Sequence, residues 1–146
     1  MGYTVHYNQN RPFADAEWLK IIQAVSNMFY RCKQVKGGNG TGRPIVNMGT
    51  IVFNGTDSYE TFSLNRIGND YEFCKTAEKP YDRYVKAVLV IANFYAPNAL
   101  TVSSDGNDPN DWNEGVRLAT LYVEQDTGRS PFNPIPYDLS KQITIS

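Results

Sequence analysis

Glu72-Phe-Cys-Lys-Thr-Ala-Glu-Lys-Pro-Tyr-Asp82 runs from the end of a strand directly into the start of a helix. Tyr71 to Lys75 has the composition of a strand, and Pro80 suits a first helical position, where its missing N–H is no loss. Val85, Val88, Leu89, Ile91, Ala92 and Tyr95 then cover most of a helical circumference, which predicts a central buried helix from Pro80 to about Tyr95, closed by Pro97. A helix start presents unpaired N–H groups and the positive end of its dipole, a setting that favours an anion. Lys75, Thr76 and Lys79 add charge and a hydroxyl there, and Asp82 falls in the first turn. A second loop, Ser103-Ser-Asp-Gly-Asn-Asp-Pro109, also follows a short strand (Ala99 to Ser103) and precedes a helix. The two loops are expected to meet at one ligand pocket, with Lys75, Thr76, Lys79 and Asp82 on one side and Ser103, Ser104 and Asp105 on the other.

Outward from this junction the pattern is regular. Tyr3 to Tyr7 alternates like a half-buried strand, and Trp18, Ile21, Ile22, Val25, Met28, Phe29 and Cys32 predict an amphipathic helix from an Asp15 N-cap to about Lys36, with Gly37 as its stop. GGNGTGRP, residues 37 to 44, reads as a mobile connector. It lacks the strand before it and the closing GK[ST] of a phosphate loop, although Arg43-Pro44 is placed to fold over a pocket. Thr50–Phe53 and Glu60–Leu64 form a hairpin around an Asn54–Ser58 turn. Asp108 and Pro109 start a third helix, with Trp112, Val116, Ala119 and Val123 on one face and Gly128 as its end. The order predicts a single α+β domain over residues 1–128, a mostly antiparallel sheet packed by about three helices. The tail, 129–146, carries the prolines of PFNPIPYD and a strand-like QITIS, and is expected to act as an extended oligomerisation arm.

With 146 residues, a net charge of −1 and cations scattered from Arg11 to Lys141, the chain lacks the footprint of a non-specific nucleic-acid binder. The apolar run Ala87–Ala96 is about half the length that spans a bilayer, and the N-terminus has no signal pattern, so no membrane partner and a cytoplasmic location are expected. Cys32 and Cys74 read as reduced thiols, and the two NGT sequences, at Asn39 and Asn54, as turns.

Three residues are candidates for chemistry. Cys74, beside Lys75 and ahead of a helix start, is a candidate nucleophile, set against a packed-in thiol at a strand end. His6 is the sole histidine, a candidate base set against a hydrogen-bonded strand histidine; with it alone, no metal site is expected. Asp105 lies in a Ser-Ser-Asp-Gly turn, set against plain turn chemistry. No cofactor motif is present.

FCKTAEKPYD, with Phe53-Asn-Gly55, Glu60-x-Phe62 and Ser103-Ser-Asp-Gly106, resembles an uncharacterised family of small hypothetical proteins of phages, giant viruses and bacteria, over nearly the whole chain to about Gly128. The resemblance implies a virus-associated origin, hence the host cytoplasm, and supplies no activity. The expected function is a homo-oligomeric module that binds an anionic, nucleotide-like small molecule, as a viral anti-defence protein that sequesters its ligand would. The alternatives are a hydrolase or transferase acting on a phosphorylated substrate, and a viral structural or protein-inhibiting component.

Overall fold

In the computed structural model, which describes residues 3–68, 70–106, 109–123 and 144–145, the helix expected at the centre is there. It is α2 (Asp82–Tyr95), preceded by α1 (Asp15–Phe29) and followed by α3 (Asn113–Tyr122). All residues of α2 from Val85 to Phe94 are buried, because it packs against α1, against α3 and against the strand β7 (Leu100–Ser104). At Gly115 the α2 and α3 backbones come together: a Cβ there would lie 2.7 Å from Lys86 Cβ and 3.1 Å from the Ala87 nitrogen. Only a glycine admits so close a crossing.

Two small sheets complete the α+β fold. In the first, β1 (Thr4–Gln9) lies between β6 (Tyr71–Lys75) and β7, antiparallel to both, and β8 (Thr144–Ile145) runs parallel to β7. The strand-like C-terminal residues thus pair within their own chain, while the remainder of the expected arm, residues 129–143 and Ser146, lies outside the described residues. In the second sheet, β4 (Thr50–Gly55) pairs antiparallel with β5 (Phe62–Asn65), with β2 (Val35–Lys36) and with β3 (Ile45–Val46). Val5, Tyr7 and Gln9 of β1 point inward with Cys74, Leu100 and Val102, as the two-residue period of a strand requires. A run of aromatic contacts, Tyr7–Phe62–Phe53–Phe29, with ring centroids 5.2, 5.1 and 4.8 Å apart, joins both sheets to α1.

The helix α2 starts at Asp82, capped by Tyr81, and not at Pro80, and α3 ends at Tyr122 and not at Gly128. Three further boundaries differ from the sequence reading. First, α1 starts after Ala14 rather than at an Asp15 cap: Glu17 reaches back to accept the Ala14 N–H at 2.9 Å and is itself held by Arg11. Second, α1 ends at Phe29, because Arg31 takes a left-handed conformation (φ 59°) and Val35 leaves the helix to pair with Gly55. Third, a short 3-10 helix (Pro109–Trp112) stands where the third helix was expected to begin.

A tight turn aims α2. Lys79 N donates to the Thr76 carbonyl at 3.0 Å, and both central residues, Ala77 (φ 52°) and Glu78 (φ 56°), are left-handed. That conformation costs a non-glycine residue roughly 1–2 kcal/mol, while glycine brings back an entropic penalty of roughly 0.5–1 kcal/mol. Ala77→Gly is therefore expected to stabilise the protein by roughly 0.5–1 kcal/mol in urea unfolding, whereas Gly115→Ala, at the helix crossing, is expected to destabilise it.

Candidate functional site

The two loops singled out from the sequence flank one buried lysine, Lys86, without bonding each other among the described residues. The Thr76 and Ala77 N–H groups both donate to the Tyr3 carbonyl (3.0 and 3.1 Å), and the fully buried Thr76 hydroxyl donates to Asp82 Oδ1 at 2.5 Å. Asp82 Oδ2 pairs with Lys86 Nζ at 2.8 Å, one helical turn on, with both side chains largely buried. Lys86 also donates to the Asp111 carbonyl at 3.0 Å and lies 4.7 Å over the Tyr3 ring and 5.8 Å from that of Trp112. The Trp112 indole N–H in turn donates to the Ser104 hydroxyl at 3.2 Å. Burial alone depresses the Lys86 ammonium, but the Asp82 carboxylate and the Tyr3 hydroxyl outweigh it and hold the group above its usual value.

Thr76, Asp82 and Ser104 are therefore committed to an internal polar cluster. Lys79 is half-exposed and faces Asp57 at 3.5 Å. The cleft beside the cluster sets the carboxylates of Glu78, Asp82, Asp111 and Glu114 against Lys79, Arg83 and Lys86, so it offers an anion no positive field. Lys75, Ser103 and Asp105 belong elsewhere, with the outward-facing residues of the first sheet.

Cys74 and His6 lie on opposite faces of that sheet. Cys74 is paired with Val5 and faces inward at 0% exposure, its sulfur 3.5 Å from the Glu60 carbonyl. Burial pushes its thiol up to about 12, which makes it a packing group at neutral pH. His6 is flanked by Phe73 on one side and Ser103 on the other, facing outward. Its Nε2 lies 2.7 Å from Asp105 Oδ1, and its Nδ1 is hydrogen-bonded to the Tyr71 hydroxyl. The second Asp105 oxygen accepts the Thr4 N–H at 3.1 Å. A carboxylate only accepts, so Nε2 donates; in the neutral ring Nδ1 then accepts, and the Tyr71 hydroxyl is the donor.

A further concave surface lies beneath the end of α1. It encloses about 550 Å³ between Phe29, Tyr30, Arg31 and Cys32 on one side and Val35, Lys36, Arg43, Pro44 and Val46 on the other. Arg31, Lys36 and Arg43 line it, and among the described residues no carboxylate joins them and none of the three forms an ion pair. The loop expected to be a mobile connector is tied down around this cavity. Gly37 N donates to the Thr41 carbonyl at 3.0 Å, Asn39 Oδ1 accepts from Thr41 N and Oγ1 at 3.1 and 2.8 Å, and Gly40 and Gly42 take the left-handed conformations the turn needs. Asn54 is buried, with its amide donating to the Gly38 and Tyr59 carbonyls, which pins the same loop to the hairpin.

Sequence reasoning placed Arg43 near a pocket and missed Arg31 and Lys36. The signal was present. Between Glu17 and Asp57 the chain has no acidic residue but five cations, Lys20, Arg31, Lys33, Lys36 and Arg43. Comparison with models of protein families, with curated proteins and with solved structures gave no match to this chain. No helix among the described residues is long and apolar enough to cross a membrane, and none of their His, Cys, Asp and Glu side chains gather into a group that could hold a metal ion.

The internal cluster and the buried thiol lead to one stability prediction each. Removing one partner of a buried pair strands the other charge, so Lys86→Met is expected to cost about 3 kcal/mol or more in chemical unfolding, while Lys79→Met changes little. Cys74 ionises near 9.0 when unfolded and only near 12 when folded. Its contribution is thus complete below pH 9.0 and is lost as pH rises towards 12. Tyr7 and Tyr81, also raised by burial, act in the same direction. Melting temperature is expected to fall through this window, and Cys74→Ala to flatten the fall while costing about 1 kcal/mol at neutral pH.

Proposed function

We propose that this protein binds an anionic small molecule in the cavity formed by Arg31, Lys36 and Arg43. The observation that carries this reading is the convergence, among the described residues, of three unpaired cations and no carboxylate on one concave surface. Its volume is within the roughly 300–1,000 Å³ usual for small-molecule sites. Tyr30, 71% exposed with the Arg31 guanidinium 5.1 Å over its ring, supplies a flat aromatic surface beside the charge. A ligand that joins a phosphate to a planar ring, as a nucleotide does, meets both features. Sequestration of such a ligand by a virus-derived protein is the sharpest form of the proposal, and its support is the sequence resemblance.

Isothermal titration with a nucleotide panel tests the reading. Arg31→Glu and Arg43→Glu are each expected to weaken binding roughly 10–100-fold, the value of a charge-assisted hydrogen bond, while Lys75→Glu with Lys79→Glu leaves it unchanged. Cys32 lies in the cavity wall and Cys74 in the core, so bound ligand is expected to slow alkylation of Cys32 alone. Equal affinities for all of these variants would remove the cavity from consideration.

A second reading, a hydrolase or transferase acting on a phosphorylated substrate, is favoured by the Tyr71–His6–Asp105 chain of hydrogen bonds on the sheet surface. It places the chemistry on His6 and Asp105, and the core position of Cys74 takes the thiol out of it.

A further inference from the structure

We infer that Tyr71 is a nucleophile, activated by His6, that accepts the phosphoryl group of a phosphate ester whose leaving group carries a flat ring. The inference develops the second reading and is independent of the basic cavity.

A tyrosine hydroxyl is a weak nucleophile unless a base takes its proton as it attacks, and a base works best when a third group orients it. All three parts are present. The Tyr71 hydroxyl hydrogen-bonds His6 Nδ1, and His6 Nε2 is 2.7 Å from Asp105 Oδ1. Asp105 is fixed by the Thr4 N–H on its other oxygen, and Asp105 N donates to the Thr4 carbonyl at 3.1 Å. The order carboxylate, imidazole, hydroxyl is that of a serine-protease triad, with the two ring nitrogens exchanged and a phenol in place of the alcohol. The strands β6, β1 and β7 supply one member each or hold it at their end, so a rigid sheet sets the geometry.

The surroundings define the substrate class. Tyr71 and Phe73 are each about half exposed, with ring centroids 6.0 Å apart and planes 29° apart, and His6 stacks on Tyr71 at 5.8 Å. Exposed rings in this arrangement are a stacking platform for a planar group. Lys75, two residues beyond Phe73 on the same strand and face, brings positive charge to an electrophile that is itself negative.

In the first step Tyr71 Oη attacks phosphorus and forms an O–P bond while its proton passes to His6 Nδ1. The bond from phosphorus to the leaving oxygen breaks on the opposite side, so the aryl oxide departs as an anion, the phosphoryl group remains on Tyr71 and the proton stays on His6. Water then attacks phosphorus from the vacated side, the bond from phosphorus to Tyr71 Oη breaks, Oη takes its proton back from His6 Nδ1, and the proton lost by water passes to solvent. Asp105 acts through His6, by fixing the tautomer and stabilising the imidazolium, and is a positioning residue.

The test uses the full chain with bis(4-nitrophenyl) phosphate. Expected are a burst of about one nitrophenolate per chain and a covalent phosphoryl adduct mapped to Tyr71 by peptide mass spectrometry. Tyr71→Phe abolishes both. His6→Ala slows the burst about 10²–10⁴-fold, and added imidazole restores part of it, which a merely structural histidine would not allow. Asp105→Asn also slows the burst, and Asp105→Glu recovers part of the rate. Circular-dichroism melts of each variant confirm folding. As an independent arm, an arylsulfonyl fluoride is expected to label Tyr71 ahead of the other exposed tyrosines, Tyr30 and Tyr59. Folded wild type that gives neither a burst nor preferential labelling of Tyr71 would overturn the inference; affinity at the basic cavity is unaffected by this outcome.

Discussion

Lys86 is the constraint on which the rest of the structure depends. Its ammonium is almost fully withdrawn from water, a transfer that costs several kcal/mol unless charge and hydrogen bonds are restored. They are restored by three separate parts of the chain: Asp82 in the first turn of α2, the Asp111 carbonyl and the Trp112 ring in the 3-10 helix, and the ring face of Tyr3 just ahead of β1. The cluster therefore closes only when the first sheet, the central helix and the segment leading into α3 are all in place. The left-handed turn at Ala77 and Glu78 delivers Asp82 to it, and the glycine crossing at 115 lets α3 approach.

This arrangement decides where function can reside. The Thr76 hydroxyl, the Asp82 carboxylate and the Ser104 hydroxyl satisfy one another or their buried neighbours, so the strand-to-helix junction that most resembles an anion site is a structural joint. Unspent polar groups lie where the joint does not reach. One set is the three cations under the end of α1, the other the Tyr71–His6–Asp105 row on the outward face of the first sheet. The two differ in kind: the cavity offers clustered positive charge, and the sheet face offers a hydrogen-bonded hydroxyl, imidazole and carboxylate on an open surface.

The fold was legible where one physical signal dominated. The circumferential apolar pattern of α2 and the alternation in β1 were enough to place both, since burial on all sides and on one side leave different periods. The end of α1 was not legible: Cys32 and Val35 continue the helical spacing, and only the pairing of Val35 with Gly55, twenty residues away in sequence, draws the chain out of the helix. The site was legible in part. His6, Asp105 and Arg43 were named from the sequence, but Tyr71 reads simply as a strand residue until β1 and β6 are set in register, with Asn8 opposite it and His6 diagonal to it. Arg31 and Lys36 join Arg43 only because α1 stops early and β2 and β3 fold the intervening loop back. Charge counted along the sequence looked scattered; charge counted between the acidic residues would have marked this segment.

The central claim, that the ligand-binding surface lies under the end of α1 and not at the start of α2, is tested most directly by heteronuclear NMR titration of the labelled protein with a nucleotide. The account predicts shift changes concentrated at Tyr30, Arg31, Lys36 and Arg43, with the amides of Thr76 to Asp82 unmoved. Shifts centred on Thr76 to Asp82 with Arg31 and Arg43 silent would contradict it.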